Sequence, residues 1–134
     1  MAEVIHPEEI LVEIDPSNLL PKIMEMKKNG YRLSQICAAY IAEQFELSYS
    51  FADDTTYQYI TLRIVIDPDT EIPSITELIP QAVFYENEMK ELFGVKIQMI
   101  SMDYENRLYR IKQTAPLGPQ SKNEDAKTEK NNKK

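Results

Sequence analysis

The sequence predicts an α+β fold: two helices packed on one face of a small antiparallel or mixed four-stranded sheet, followed by an irregular C-terminal extension. Three observations predict it. Residues 45–51 (FELSYSF) and 57–66 (YQYITLRIVI) are runs with two-residue periodicity on either side of a turn-forming Asp53-Asp54-Thr55-Thr56, the mark of a half-buried hairpin. Two other segments follow helix-start signals, Asp15-Pro16-Ser17-Asn18 and Ser74-Ile75-Thr76-Glu77, and end at Gly30 and Gly94, with apolar residues at helical spacing between. A chain of 134 residues with 43% hydrophobic content is long enough to bury one core. One domain is expected over residues 1–111, and a charged, disordered tail over 112–134.

Residues 10–14 (ILVEI) read as a short strand. In the helix that follows, Leu19, Leu20, Ile23 and Met24 share a face, Pro21 is tolerated in the first turn, and Lys27 and Lys28 suit the negative end of the dipole. A second strand is expected over 32–40, in which Leu33, Gln35, Cys37 and Ala39 alternate with Ser34, Ile36, Ala38 and Tyr40. Residues 38–43 also fit a helix. Cys37 reads as a buried small hydrophobe. In the hairpin, Phe45, Leu47, Tyr49 and Phe51 form a buried face against a wet one of Glu46, Ser48 and Ser50. On the return strand Ile60, Leu62, Ile64 and Ile66 oppose Tyr57, Tyr59, Thr61, Arg63 and Val65, an amphipathic face that something covers in part.

The stretch from Ser74 to Val95 is the most informative. Ser74 and Glu77 have capping-box spacing, and Pro73 keeps Ile72 out of helical geometry. Pro80 divides a short turn at 75–79 from a full helix at 80–93, which Gly94 ends. At about 100° per residue, Ala82, Tyr85, Met89, Leu92 and Phe93 form the core stripe. Glu86 and Lys90 read as a surface pair, whereas Phe84, Glu88 and Glu91 line a different side. Residues 95–101 alternate weakly, as an edge strand would. The segment 102–111, with Tyr104, Arg107, Leu108, Tyr109 and Arg110, has no clean period, and Tyr and Arg are residues favoured at protein interfaces.

Composition excludes several chemistries. One cysteine and one histidine, Cys37 and His6, rule out a disulfide framework and a four-thiolate cluster, and set no zinc or haem site. Three glycines, at 30, 94 and 118, form no phosphate-binding loop. No catalytic, cofactor-binding or metal-binding residue is assigned. The formal charge of −7 is uneven: residues 119–134 hold five lysines against three acids. The acidic body offers no electrostatic footprint for nucleic acid. The apolar runs are shorter than the ~20 residues of a membrane span, and the acidic N-terminus lacks a signal-peptide pattern; a soluble cytoplasmic protein is expected. From the residues alone, three readings stay open. One is an interaction subunit. A second is a small acid–base enzyme using Glu88 and Glu91. A third is a stand-alone binding module using Tyr57, Tyr59 and Arg63.

The run Phe84-Tyr85-Glu86-Asn87-Glu88-Met89-Lys90-Glu91-Leu92-Phe93-Gly94-Val95 resembles the signature of the 30-kDa subunit of respiratory NADH dehydrogenase. It also resembles the short counterpart in energy-converting nickel–iron hydrogenases. Phe84 stands at the signature aromatic, Glu86 and Glu88 at its two glutamates, Glu91 at its acid, and Leu92-Phe93-Gly94 at its terminator. Pro73-Ser74-Ile75-Thr76 and Phe45-Glu46-Leu47-Ser48-Tyr49 match upstream, so the resemblance runs over about residues 8–111 in element order. Asn87 replaces the signature arginine. Of the family's His-Pro-Asp-Leu-Arg-Arg-Ile, only Leu108, Arg110 and Ile111 carry over. The charged tail stands where respiratory subunits have a long C-terminal wrap, which favours a hydrogenase-type or other short complex.

The resemblance implies a cofactor-free subunit that braces a large catalytic subunit and an iron–sulfur small subunit. The iron–sulfur clusters, the nickel–iron centre and the sites for electron donor and acceptor lie in those other chains. It also implies a peripheral position on the cytoplasmic face of the cell membrane. The expected partner interface is Phe84, Glu88, Glu91, Arg107, Tyr109, Arg110 and Ile111, with the glutamates pairing with partner arginines or capping partner backbone.

Overall fold

The computed structural model describes residues 9–109 and 114–119; Arg110 and Ile111 of the expected interface lie outside them. In order come β1 (Glu9–Glu13), a 3-10 turn (Pro16–Asn18), α1 (Leu19–Lys28), β2 (Arg32–Ile41), β3 (Gln44–Ala52) and β4 (Tyr59–Ile66). The remainder is β5 (Glu71–Pro73), α2 (Ala82–Phe93) and β6 (Lys96–Gln98). The main sheet has the order β1-β4-β3-β2. β3 is antiparallel to both neighbours, and β1 lies parallel to β4. The α+β class and the mixed four-stranded sheet agree with the sequence reading.

The core lies between one sheet face and the helices. Phe45, Leu47, Tyr49 and Phe51 are buried together with Leu62, Ile64 and Ile66 of the paired strand. Above them lie Leu19, Ile23 and Met26 of α1 and Ala82 and Met89 of α2, with Ile72, Ile75, Ile79 and Val95 closing the same cluster. At ~1.5–3 kcal/mol per fully buried large aliphatic or aromatic side chain, this cluster is the main source of stability. Within α1 the turn-spaced trio is Leu19, Ile23 and Met26. Met24, expected on that face, is 57% exposed, because five residues beyond Leu19 it has rotated past the stripe.

β2 departs from strict alternation. A register shift between Leu33 and Gln35 leaves Ser34 as an extra residue, which puts Leu33 in phase with Ile36, Ala38 and Tyr40. Cys37 therefore points to the opposite face and is exposed, which corrects its expected burial. The strand continues through Ile41, and Ala42 and Glu43 turn the chain with φ of 51° and 63°, the backbone that suits a two-residue hairpin loop. Helix at 38–43 is excluded. The outer side of β3 is also drier than expected: Ser48 and Ser50 are buried. Longer side chains of β4 lie over them, with Arg63 Nε donating to Ser48 Oγ at 3.4 Å and Ser50 Oγ meeting Thr61 Oγ1 at 3.0 Å.

The weak alternation after Gly94 becomes β6, which is not an edge of the main sheet. It pairs in parallel with β5 as a separate two-stranded sheet. The capping-box expectation at Ser74 also fails. Residues 75–79 make a single turn, closed by Ile79 N–H on Ile75 O at 2.8 Å, and the helix starts only at Ala82, with no side-chain cap at Gln81. The hydroxyl of Ser74 has a different partner inside the core.

Candidate functional site

α2 is the element on which the chain closes. Its core side is as expected: Ala82 and Met89 are buried, Tyr85, Leu92 and Phe93 pack partly buried against the cluster, and the Tyr85 hydroxyl reaches Ser34 O at 3.1 Å. Gly94, at φ 78°, ends the helix.

Glu86 is no surface residue. It is fully buried, because the turn at 74–76 offers it a ready set of donors: Ile75 N–H at 2.7 Å and Ser74 Oγ–H at 2.5 Å. Ser74 Oγ in turn contacts Thr76 Oγ1 at 2.7 Å, and Thr76 Oγ1 accepts the Ser101 N–H at 3.0 Å. Burial raises the Glu86 carboxyl above the usual range, and the two hydrogen bonds pull it part of the way back. The Tyr49 phenol, buried without a hydrogen-bond partner, is held far above its ordinary value by burial and then by the Glu86 charge. Lys90, the expected partner of Glu86, instead pairs with Asp103 at 2.6 Å.

Asn87 and Glu91 hold residues 99–109, a strap that runs back over the helix. Asn87 is buried. Its Nδ2 donates to Val83 O at 2.8 Å and Met102 O at 2.9 Å, and its Oδ1 accepts the Tyr104 N–H at 2.9 Å. Glu91, only 3% exposed, accepts the N–H groups of Leu108 at 2.8 Å and Tyr109 at 3.0 Å. Its expected role toward a partner is thus corrected: the carboxylate caps backbone, but the backbone is its own. The residue at the signature arginine position works the same way, as an amide that both donates and accepts within the chain.

Outside this anchored strap stands an apolar ridge. Phe84 is 57% exposed and stacks on Tyr104, with centroids 6.3 Å apart and planes at 23°. Met99, Met102 and Tyr109 are exposed too. Tyr109 lies beside Glu88, whose charge is the first cause raising the phenol's pKa, and Arg107 is exposed. Of the expected interface residues, the structure brings Phe84, Glu88 and Tyr109 to one side and turns Glu91 inward. Sequence reasoning missed Met99, Met102 and the stacking role of Tyr104. The signal that would have found them is the buried mid-helix Asn87, which orders the strap around its amide.

Past the strap, residues 114–119 return to the end of α2. Leu117 N–H donates to Leu92 O at 2.8 Å, and a Cβ on Gly118 would lie 2.0 Å from Phe93 O, a distance only glycine permits. Among the described residues no group of three or more His, Cys, Asp or Glu could hold a metal ion. No helix among them is long and apolar enough to cross a membrane.

The family model described as respiratory-chain NADH dehydrogenase, 30 Kd subunit, matches residues 12–128. The chain belongs to this family. One relative, a subunit of the NADH-quinone oxidoreductase of Ruegeria pomeroyi, is 29% identical over 121 residues, 81% of this chain and 60% of that protein. Subunit 9 of NADH-ubiquinone oxidoreductase from Reclinomonas americana is 30% identical over 95 residues, 65% of this chain and 46% of that protein. The chain thus spans about half to three-fifths of the length of these relatives. A protein in the solved structure of the membrane-bound sulfane sulfur reductase, an archaeal respiratory membrane complex, superposes with TM-score 0.71 at 16% identity. The match covers 87% of this chain and 73% of that one. That likeness establishes the shared fold. For this member of the 30-kDa-subunit family, the signature acids divide into two kinds: Glu86 and Glu91 are buried and structural, while Glu88 is half-buried against the Tyr109 phenol, one helical turn from Phe84.

Proposed function

We propose that this chain is a cofactor-free structural subunit of a membrane-associated energy-converting hydrogenase, or of a related complex-I-like oxidoreductase. It braces the large catalytic subunit and the iron–sulfur small subunit, and is peripheral on the cytoplasmic face of the membrane. The observation that carries this reading is the stacked pair Phe84–Tyr104 standing on the surface, on a strap held by the hydrogen bonds that Asn87 donates and accepts and that Glu91 accepts. A strap anchored this well, with its aromatic side outward, is preorganised for a partner. Phe84, Glu88, Arg107 and Tyr109 form its contact set, extended by Met102 and Tyr104 and, along the sequence, by Arg110 and Ile111. Family membership and the fold shared with one protein of a respiratory membrane complex support the subunit role.

The acid–base alternative loses its second carboxylate, since Glu91 already accepts two amide hydrogens. The sheet-face alternative loses a free pair of groups, because Arg63 and Tyr59 are tied to Ser48 and Ser34. The test is purification of the tagged chain from its own cells in mild detergent. Co-purification of iron, sulfide and nickel with two larger subunits is expected; a free monomer with no metal-protein companions would refute the reading.

A further inference from the structure

The ridge has a charge as well as a shape. From Ala82 to Tyr109 the sequence carries five carboxylates, Glu86, Glu88, Glu91, Asp103 and Glu105, against Lys90, Lys96 and Arg107. Lys90 is spent on Asp103 and Lys96 reaches Asp69. Among the described residues, no Lys or Arg forms an ion pair with Glu86, Glu88 or Glu91. Two of these carboxylates, Glu86 and Glu91, are buried and held only by N–H and O–H dipoles. Hydrogen bonds of that kind stabilise a charge without cancelling its field, which protein of low dielectric transmits to the surface. Glu88 stands half-buried one helical turn from Phe84 and against the Tyr109 phenol, which the Glu88 charge and, less, the Glu91 charge reach. Stacked aromatic faces add a further attraction for a cation, and for the planar guanidinium above all.

We propose that the ridge receives an arginine-bearing apolar surface of the neighbouring subunit, the guanidinium seating on the Phe84–Tyr104 rings and pairing with Glu88. This deepens the subunit reading and rests on it. An anionic lipid headgroup is the wrong charge for the site. A purely apolar partner would desolvate the Glu88 carboxylate with the Tyr109 hydroxyl beside it but no cation to balance its charge, a costly arrangement. The exposed Met102, whose carbonyl accepts from Asn87 within the strap, supplies adaptable apolar contact at the margin.

The test uses the assembled complex. A photo-reactive benzoylphenylalanine replaces Phe84, and in a control chain it replaces Tyr57, which is 75% exposed at the β3–β4 hairpin tip. Illumination is expected to join position 84, but not position 57, to another subunit through a peptide containing arginine beside apolar residues. Glu88→Lys is expected to lower the complex-bound fraction by about tenfold or more, and Glu88→Gln by less, since a lysine there would face the partner's guanidinium as a like charge. Both variants should melt with the wild-type chain when isolated. An adduct within the chain itself, to Arg110 or the lysines of 120–134, would overturn the proposal. So would an intact complex that gives no adduct at 84, or one indifferent to Glu88→Lys. If the unaltered chain joins no complex at all, the subunit reading itself falls, a result distinct from each of these.

Discussion

The carboxylate of Glu86 accepts the Ile75 backbone N–H at 2.7 Å across eleven residues of chain, inside the core. This bond ties the turn after β5 to α2, and it does so with a carboxyl whose charge burial disfavours. A carboxyl raised in the folded state favours folding most when it is protonated in both states, below its unfolded value of about 4.3. That contribution is lost as pH rises through the folded value. Between neutral pH and the ordinary glutamate range, the Glu86 contribution therefore grows as pH falls. Urea unfolding at a series of pH values is expected to show this component in the wild type and to lose it in Glu86→Gln. Glu86→Ala should cost roughly 1–3 kcal/mol for each donor it strands.

Why was this bond not legible in the sequence? Ser74-Ile75-Thr76-Glu77 has the spacing of a capping box, and Glu86–Lys90 the spacing of a surface pair. Both are local patterns, and both were overridden by a contact between residues far apart in sequence. The strands β3 and β4 were legible because burial on one face enforces a period of two over many residues. β5 was not, since three residues hold no period. β2 was half legible: one extra residue at Ser34 reversed the faces before and after it and sent Cys37 outward. In the site, Phe84 and Glu88 stood out by lying off the core stripe. Glu91 stood out for the same reason but was turned inward, because the strap that covers it has no periodic signature of its own.

Asn87 is the pin of that strap. Asn87→Ala removes three hydrogen bonds and strands the Tyr104 N–H and the Met102 carbonyl. A loss of roughly 1–3 kcal/mol is expected, together with much faster amide hydrogen exchange at Tyr104 and unchanged exchange in β3. Unchanged exchange at Tyr104 would place the strap's anchor elsewhere.

Ala42 and Glu43 both occupy positive φ, which costs an L-residue roughly 1–2 kcal/mol. Replacing the pair with Asn-Gly keeps the two-residue turn and relieves that cost. A gain of about 1 kcal/mol or more in unfolding free energy is expected from urea titration, with the denaturant slope unchanged.

Gly118 sits where any side chain meets the Phe93 carbonyl. Gly118→Ala should release residues 114–119 from α2. The readout is exchange protection of the Leu117 N–H, which donates to Leu92 O and should lose protection in the variant.

The central claim is that the exposed face of α2 is built for another subunit. Phe84→Ala tests it most directly, because Phe84 is 57% exposed and touches the ring of Tyr104. In the isolated chain the stacked pair contributes only about 0.5–1.5 kcal/mol, so the melting point should move by a few degrees at most. In cells, the fraction of the chain recovered with the complex in mild detergent should fall severalfold. A large loss of stability in isolation, with assembly undiminished, would contradict the account and make Phe84 a residue of the fold.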